Sequence, residues 1–326
     1  MVTQSQSSNR NRLTITLACA ISLAGIAYAA DPKVVVPANG VPLVGPYSPG
    51  LDTGDYVYVS GQGVRDFKSQ MPAGIDAQAT QCIENVRGIL TAAGLTLDNV
   101  VSVQLYLTDM KNLPVVEKIY QAAFVRNPAR VTLIVPKMPT DTTVEITVIA
   151  RKATAPADRV FLPAVYGATL KDVDAKLDAE LRKAGMTTKN LVSIKRYVTG
   201  NPAPGFVPVF ALPGAAKTAA FAVASKTPLA NTAYCEVVAS DPKGSIEVQT
   251  TSVFGKLKSC LEAKGLTLSN AVATNVYLDD INDFAKMNAV YAGFFPDQKP
   301  TRTTIQPTMP LIPKSTLVRI SALAAK

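Results

Sequence analysis

Apolar positions along the chain fall into three similar blocks. Ile75, Ala79, Cys82, Ile83, Val86, Ile89, Leu90 and Ala93 recur at three- and four-residue steps, the spacing of one helix face. Ile246, Val253, Phe254, Leu257, Cys260 and Leu261 repeat that spacing, and Leu170, Val173, Leu177 and Leu181 form a thinner stripe between them. Each stripe ends at a glycine (Gly94, Gly185, Gly265), where a helix C-terminal cap is expected. An Asn and an alternating strand follow each glycine. Residues 92–109 (AAGLTLDNVVSVQLYLTD), 183–200 (KAGMTTKNLVSIKRYVTG) and 263–280 (AKGLTLSNAVATNVYLDD) are therefore three copies of one pattern.

A second helix is expected over 113–124 and over 284–295. In the middle block Pro202, Pro204, Pro208 and Pro213 occupy that place and preclude one. Two strands close each block: 131–135 and 144–150, then 218–224 and 234–240, then 301–306 and 317–325. A full opening hairpin, including 56–61, is legible in the first block alone; the middle keeps a remnant at 159–167, and the third reads as having lost it. This order predicts α+β units, each a sheet with two helices on one face, repeated two to three times. Val101, Val103, Leu105 and Leu107 alternate on one strand, so each sheet needs a neighbouring unit to cover its other face. The Ala-, Thr- and Pro-containing stretch 153–158 is the clearest linker. The expected units are 36–152, 158–240 and 241–326.

The 326 residues suit two or three such units, and an apolar fraction of 48% supplies their cores. Histidine is absent, which removes Ser-His-Asp and Cys-His catalysis and His-ligated metals. Aromatics are sparse at 6%, tryptophan is absent, and the basic residues are scattered, which disfavours a base-stacking platform and leaves only a weak nucleic-acid footprint, so no nucleic acid is expected. Residues 1–29 read as a signal peptide: Arg10 and Arg12, an apolar core over 13–26, then Ala27-Tyr28-Ala29 before the cleavage point. Removing it takes the formal charge from +9 to 9 − 2 = +7, because the leader holds two arginines and no acid. The expected location is the periplasm or the exterior, with no membrane contact after cleavage. Cys82, Cys235 and Cys260 remain. Their number and spread suggest buried small hydrophobes more than a disulfide framework, although an oxidising compartment permits one bridge. No Gly-rich phosphate loop or ligand-spaced Cys pair is visible, so no cofactor and no metal is expected.

Six motifs occur in a fixed order: GPYSPG (45–50), YVYVSGQ (56–62), the AAGLTLDNVV turn, VQLYLTDM (103–110), NPAR (127–130) and VEITVIA (144–150). Over 36–152 the chain thereby resembles the RidA/YjgF family, also described as L-PSP endoribonucleases. The last block resembles the C-terminal two-thirds of that unit. The resemblance implies a chorismate-mutase-like fold, trimers with sites between subunits, and hydrolysis of enamine or imine acids to 2-oxo acids and ammonia. It assigns Arg130 to the substrate carboxylate, Tyr47, Ser60 and Gly61 to the pocket wall, Glu145 to water or proton handling, and Thr132 to a neighbouring polar position.

The chemistry is self-consistent. A guanidinium grips a carboxylate through two parallel bonds. An imine carbon is already electrophilic, so a placed water and a proton-transferring carboxyl suffice. In the other repeats the alignment puts Lys217 and Glu236, then Arg302 and Arg319, at the Arg and Glu positions. Arg302 is thus the second arginine able to hold substrate. Three degenerate copies suggest a trimer collapsed into one polypeptide, whose first-repeat groups face an arginine of another repeat; a homo-oligomer built on the first repeats is the alternative. The rivals to a deaminase are a small-carboxylate binding protein on the same scaffold and, more remotely, a ribonuclease.

Overall fold

A computed structural model of the chain describes residues 31–200, 204–229, 231–239, 243–308 and 310–326. The expected leader lies outside the described residues.

The first unit is a six-stranded sheet in the order β1-β2-β3-β6-β4-β5. Its strands are β1 (Lys33–Val35), β2 (Gly50–Asp52), β3 (Tyr56–Gln62), β4 (Val100–Leu107), β5 (Ala129–Ile134) and β6 (Val144–Arg151). Helices α1 (Ile75–Ala92) and α2 (Leu113–Ala123) cover one face, and the stripe foreseen on α1 is buried there against Val103, Leu105, Leu107, Ile146 and Val148. Strands β4 and β5 run parallel and the other pairs antiparallel.

The third unit repeats this plan with β12 (Thr232–Val238), α4 (Ile246–Glu262), β13 (Ala271–Leu278), α5 (Phe284–Phe294), β14 (Thr301–Ile305) and β15 (Val318–Ala325), in sheet order β12-β15-β13-β14. The middle unit is thinner. Strands β7 (Arg159–Phe161) and β8 (Val165–Gly167) precede one helix, α3 (Leu170–Lys183), followed by β9 (Leu191–Val198), β10 (Phe206–Pro208) and β11 (Thr218–Ser225). Among its described residues no helix follows β9, as the prolines require. The three glycine caps sit at φ of 72°, 72° and 74°, the left-handed region that ends each first helix. The Thr-x-x-Asn turns after them are closed alike, with Asn99, Asn190 and Asn270 accepting from the backbone N–H of Thr96, Thr187 and Thr267.

Three expectations are corrected. The strand expected at 234–240 was assigned to the middle unit, but its residues through Val238 belong to the third sheet: Thr232–Val238 pairs antiparallel with β15 along its length. The third unit therefore keeps an opening strand, and the boundary falls between Ser225 and Thr232 rather than at 240. Strand β11 is the last strand of the middle sheet, and β10, short and proline-ended, is the one before it. A strand's sequence does not encode which edge it joins, and here the long-range pairing decided. Cys260 is no free apolar filler but is bonded to Cys235, tying α4 to β12 across 25 residues; Cys82 remains free and buried.

The sheet faces away from the helices meet one another. Tyr106, Tyr197 and Tyr277 occupy matching register positions in the three sheets, and all three are fully buried in one cluster with Val131, Leu133, Val207 and Ile305. Two residues before each Tyr stand Gln104, Lys195 and Asn275. The Lys195 ammonium donates to Gln104 Oε1 (3.0 Å) and Asn275 Oδ1 (2.7 Å), and burial pulls its pKa down to about 8. A hydrogen bond joins each pair of units. Arg302 N on β14 donates to Ser60 Oγ on β3 (2.8 Å), Thr132 N on β5 donates to the Tyr166 hydroxyl on β8 (2.9 Å), and Arg319 Nη1 on β15 donates to Phe206 O on β10 (2.7 Å).

Candidate functional site

The junction of the third unit with the first encloses a cavity of about 680 Å³, whose lining includes Tyr47, Gly61, Glu145 and Arg302. The GPYSPG loop reaches it by docking on the start of β14. Ser48 N donates to Pro300 O (3.1 Å) and the Ser48 hydroxyl to Lys299 O (2.6 Å). The Ser60 hydroxyl donates to Ser48 O (2.6 Å) while accepting from Arg302 N. Ser60 therefore fixes the loop and the Arg302 backbone together and does not line the cavity. Its expected role as a substrate contact becomes one of positioning.

Arg302 is 4% exposed, yet Nη1 and Nη2 have no hydrogen-bond partner. Its guanidinium carbon lies 4.9 Å from the Tyr47 ring centroid, 4.9 Å from that of Tyr291 and 5.2 Å from that of Phe284. Aromatic faces hold a cation without occupying its N–H donors, so both remain free for a bidentate anion. Glu145, 7% exposed, is the complementary orphan: Oε1 has no partner. Burial pushes its pKa up to about 8, against a downward pull from Arg302, so the carboxyl is protonated at neutral pH. Burial likewise raises the Tyr47 pKa and keeps its hydroxyl protonated. Two glycines let the site groups approach the backbone closely, so a side chain at either would push a site group aside. A Cβ at Gly61 would overlap Glu145 Oε1, and one at Gly45 would overlap Arg302 Nη2.

Arg130 and Thr132 are not part of this assembly. Arg130 occupies the register position in the first unit that Arg302 holds in the third, three residues before the partner of the buried Tyr. Its guanidinium carbon also sits over an aromatic ring, 4.2 Å from the Tyr120 centroid, but Nη2 is bonded to Glu117 Oε1 at 2.9 Å. On α5 the residue matching Glu117 is Asn288, which donates through Nδ2 to Val44 O (3.4 Å) and leaves Arg302 without a carboxylate. The exchange of Glu for Asn distinguishes an arginine with Nη2 held by a carboxylate and Nη1 alone unpartnered from one with both terminal nitrogens unpartnered. Thr132 is buried, its N–H given to Tyr166.

The other two junctions lack the set. Register places Ala219 of the middle unit at the Glu145 position, facing the junction that Arg130 enters. Pro204 stands three residues before Val207, where an arginine is needed, so neither Lys217 nor Glu236 occupies the position the sequence alignment gave it. In the third unit Arg319 does hold the Glu145 position, and it forms a buried ion pair with Glu236. Asn288, Tyr291 and Phe284 were missed in the sequence. Their signal lay in the i, i+4, i+7 spacing on α5, which places all three beside β14.

Among described residues no group of His, Cys, Asp and Glu is arranged to hold a metal, and no helix is long and apolar enough to cross a membrane. The family model described as Endoribonuclease L-PSP matches residues 39–152 and 226–326. Both segments agree with the observed first and third units. A RutC family protein of Saccharolobus solfataricus is 43% identical over 113 residues, 34% of this chain and 90% of that protein. The 2-iminobutanoate/2-iminopropanoate deaminase of Escherichia coli K12 is 33% identical over 123 residues, 36% of this chain and 96% of that protein. Among solved structures, the E. coli YjgF gene product is 33% identical, covers 37% of this chain and 98% of its own, and has a TM-score of 0.36.

Proposed function

This chain belongs to the Endoribonuclease L-PSP family, also known as RidA/YjgF, and from that premise we propose that its Arg302–Glu145 pocket hydrolyses 2-imino or enamine acids to 2-oxo acids and ammonia. The observation that carries the reading is the pair of buried orphans in one cavity: a guanidinium with two free N–H groups and a carboxyl with a free oxygen. The substrate carboxylate takes the guanidinium as a bidentate partner. The imine nitrogen then accepts the Glu145 proton, which makes the carbon more electrophilic. Water adds to that carbon, and the Glu145 carboxylate takes a proton from the attacking water. Glu145 passes that proton to the nitrogen, and as the C–N bond breaks and ammonia leaves, its carboxylate takes the hydroxyl proton of the carbinolamine, which gives the carbonyl and restores the protonated Glu145. The relative named as a deaminase supports this class of reaction.

The test is hydrolysis of 2-imino acids generated in situ by an amino-acid oxidase. Wild type should turn over. Arg302→Lys, which cannot reproduce the planar fork, should lose at least about tenfold in kcat/KM, equal to ~1.4 kcal/mol, and Arg130→Lys should match wild type. Absence of turnover with carboxylate binding intact would replace the enzyme by a binding protein on the same scaffold.

We read the three units as the subunits of a trimer joined in one chain, with one working pocket at the junction of units three and one. The reading is supported by the three matching tyrosines in one core and the hydrogen bonds that join each pair of units. We also retain export as a proposal. Residues 1–29 have the leader pattern, and a Cys235–Cys260 bridge suits an oxidising compartment. Mass spectrometry of the native protein should find Ala30 at its N-terminus; an intact Met1 in the cytoplasm would overturn it.

A further inference from the structure

The cavity is far larger than its reactive end needs. At roughly 30 Å³ per water-sized group, the seven non-hydrogen atoms of a four-carbon imino acid fill on the order of 200 Å³, against about 680 Å³ present. The surplus runs along α1, where Gln81 and Ile89 both line the wall; eight residues of helix span about 12 Å. The lining also includes the irregular segment 36–44 and Phe67.

The character of this arm is apolar. Of the ten exposed large hydrophobic side chains among the described residues, five line this one cavity: Val34, Val36, Leu43, Val44 and Phe67. Such a concentration of unburied apolar surface in a concave site marks a ligand groove. The principal polar side chains of the arm are already paired with protein groups. Arg65 donates to Ser69 O (2.9 Å) and Thr140 O (3.2 Å), Asn85 donates to Gly63 O (2.9 Å) and Arg65 O (2.8 Å) while accepting from Gln81 (2.8 Å), and Glu84 is paired with Arg87. What the arm offers a ligand is burial of apolar surface.

We infer that the substrate of this pocket is a 2-imino acid with a long aliphatic or aromatic side chain, its carboxylate on Arg302 and its side chain laid between segment 36–44, α1 and Phe67. This rests on the proposed reading of the reactive end, whose two-substituent imine carbon directs one arm to the arginine and the other along the cavity.

The experiment compares kcat/KM for imines generated from alanine, leucine and phenylalanine. A buried methylene contributes up to about fourfold, so leucine- and phenylalanine-derived imines should exceed the alanine-derived one by at least about tenfold. Phe67→Ala should lower the phenylalanine-to-alanine ratio at least about fivefold; Phe67 is 50% exposed, so its truncation spares the core. Equal or falling values along the series, or a ratio unchanged in Phe67→Ala, would overturn the inference while leaving the deaminase reading intact. If no imine is hydrolysed, the deaminase reading fails, and the arm is judged by calorimetry with pyruvate, 4-methyl-2-oxopentanoate and phenylpyruvate. Tightening along that series upholds it; equal affinities, or no binding, overturn it.

Discussion

Replacing Asn288 by Glu should give Arg302 the carboxylate partner that Arg130 already has. In the first unit Glu117 holds Arg130 Nη2 at 2.9 Å, with both side chains about a quarter exposed. Asn288 occupies the matching turn of α5, leaving Arg302 over its three rings with two unpaired N–H groups. A glutamate at 288 would reach Arg302 as Glu117 reaches Arg130. A charge-assisted bond is worth about 1.5–3 kcal/mol, and an incoming carboxylate must displace it. The dissociation constant of a 2-oxo acid should therefore rise on the order of 10- to 150-fold. Titration calorimetry measures it directly, without assuming turnover. Asn288→Gln, equal in size and uncharged, is the control and should stay within about threefold of wild type, below the ~1 kcal/mol level of a neutral hydrogen bond. Unchanged affinity in Asn288→Glu would refute the argument that pairing silences Arg130, and so would a loss of binding in Arg130→Lys that spares Arg302→Lys.

Three further outcomes follow from the same geometry. Glu145 keeps its proton in the native state up to about pH 8, while its ordinary value is 4.5, so the folded chain binds the extra proton between those limits and stability falls as pH rises through them, by at most about 5 kcal/mol. Urea unfolding at pH 5 and pH 9 should show that decline in wild type and a smaller one in Glu145→Gln, which should also bind 2-oxo acids yet turn over poorly; an identical decline in both would remove Glu145 as its source. The Cys235–Cys260 bridge closes a loop of 25 residues, so Cys235→Ser should lower unfolding free energy by about 3 kcal/mol, and equal midpoints for the mutant and the oxidised wild type would contradict it. Light scattering of the mature protein should give the mass of one chain, because the apolar faces of the three sheets already cover one another; a mass near three chains would sink the joined-trimer reading.

The sequence by itself determined what is local. Helix stripes, glycine caps and the turns after them are set by neighbours within a few residues, and the stripes, the glycines and the asparagines that follow were legible in all three repeats; Tyr47, Gly61 and Glu145, singled out from the motifs, line one cavity. The apolar alternation at Val101, Val103, Leu105 and Leu107 already called for a neighbouring unit to cover each sheet's second face. What only the tertiary structure decided depends on contacts remote in sequence. Strand 232–238 carries the same alternation whichever sheet it joins, and its hydrogen bonds to β15, more than 80 residues on, gave it to the third unit. Arg130 and Arg302 sit in equivalent motifs and differ in what surrounds them. One packs against its own Glu117, and the other is bounded by Asn288 of its own unit and by Tyr47 from a loop about 250 residues earlier. A charge becomes available to a ligand only when no partner occupies it, and the partners here are fixed by how the units meet.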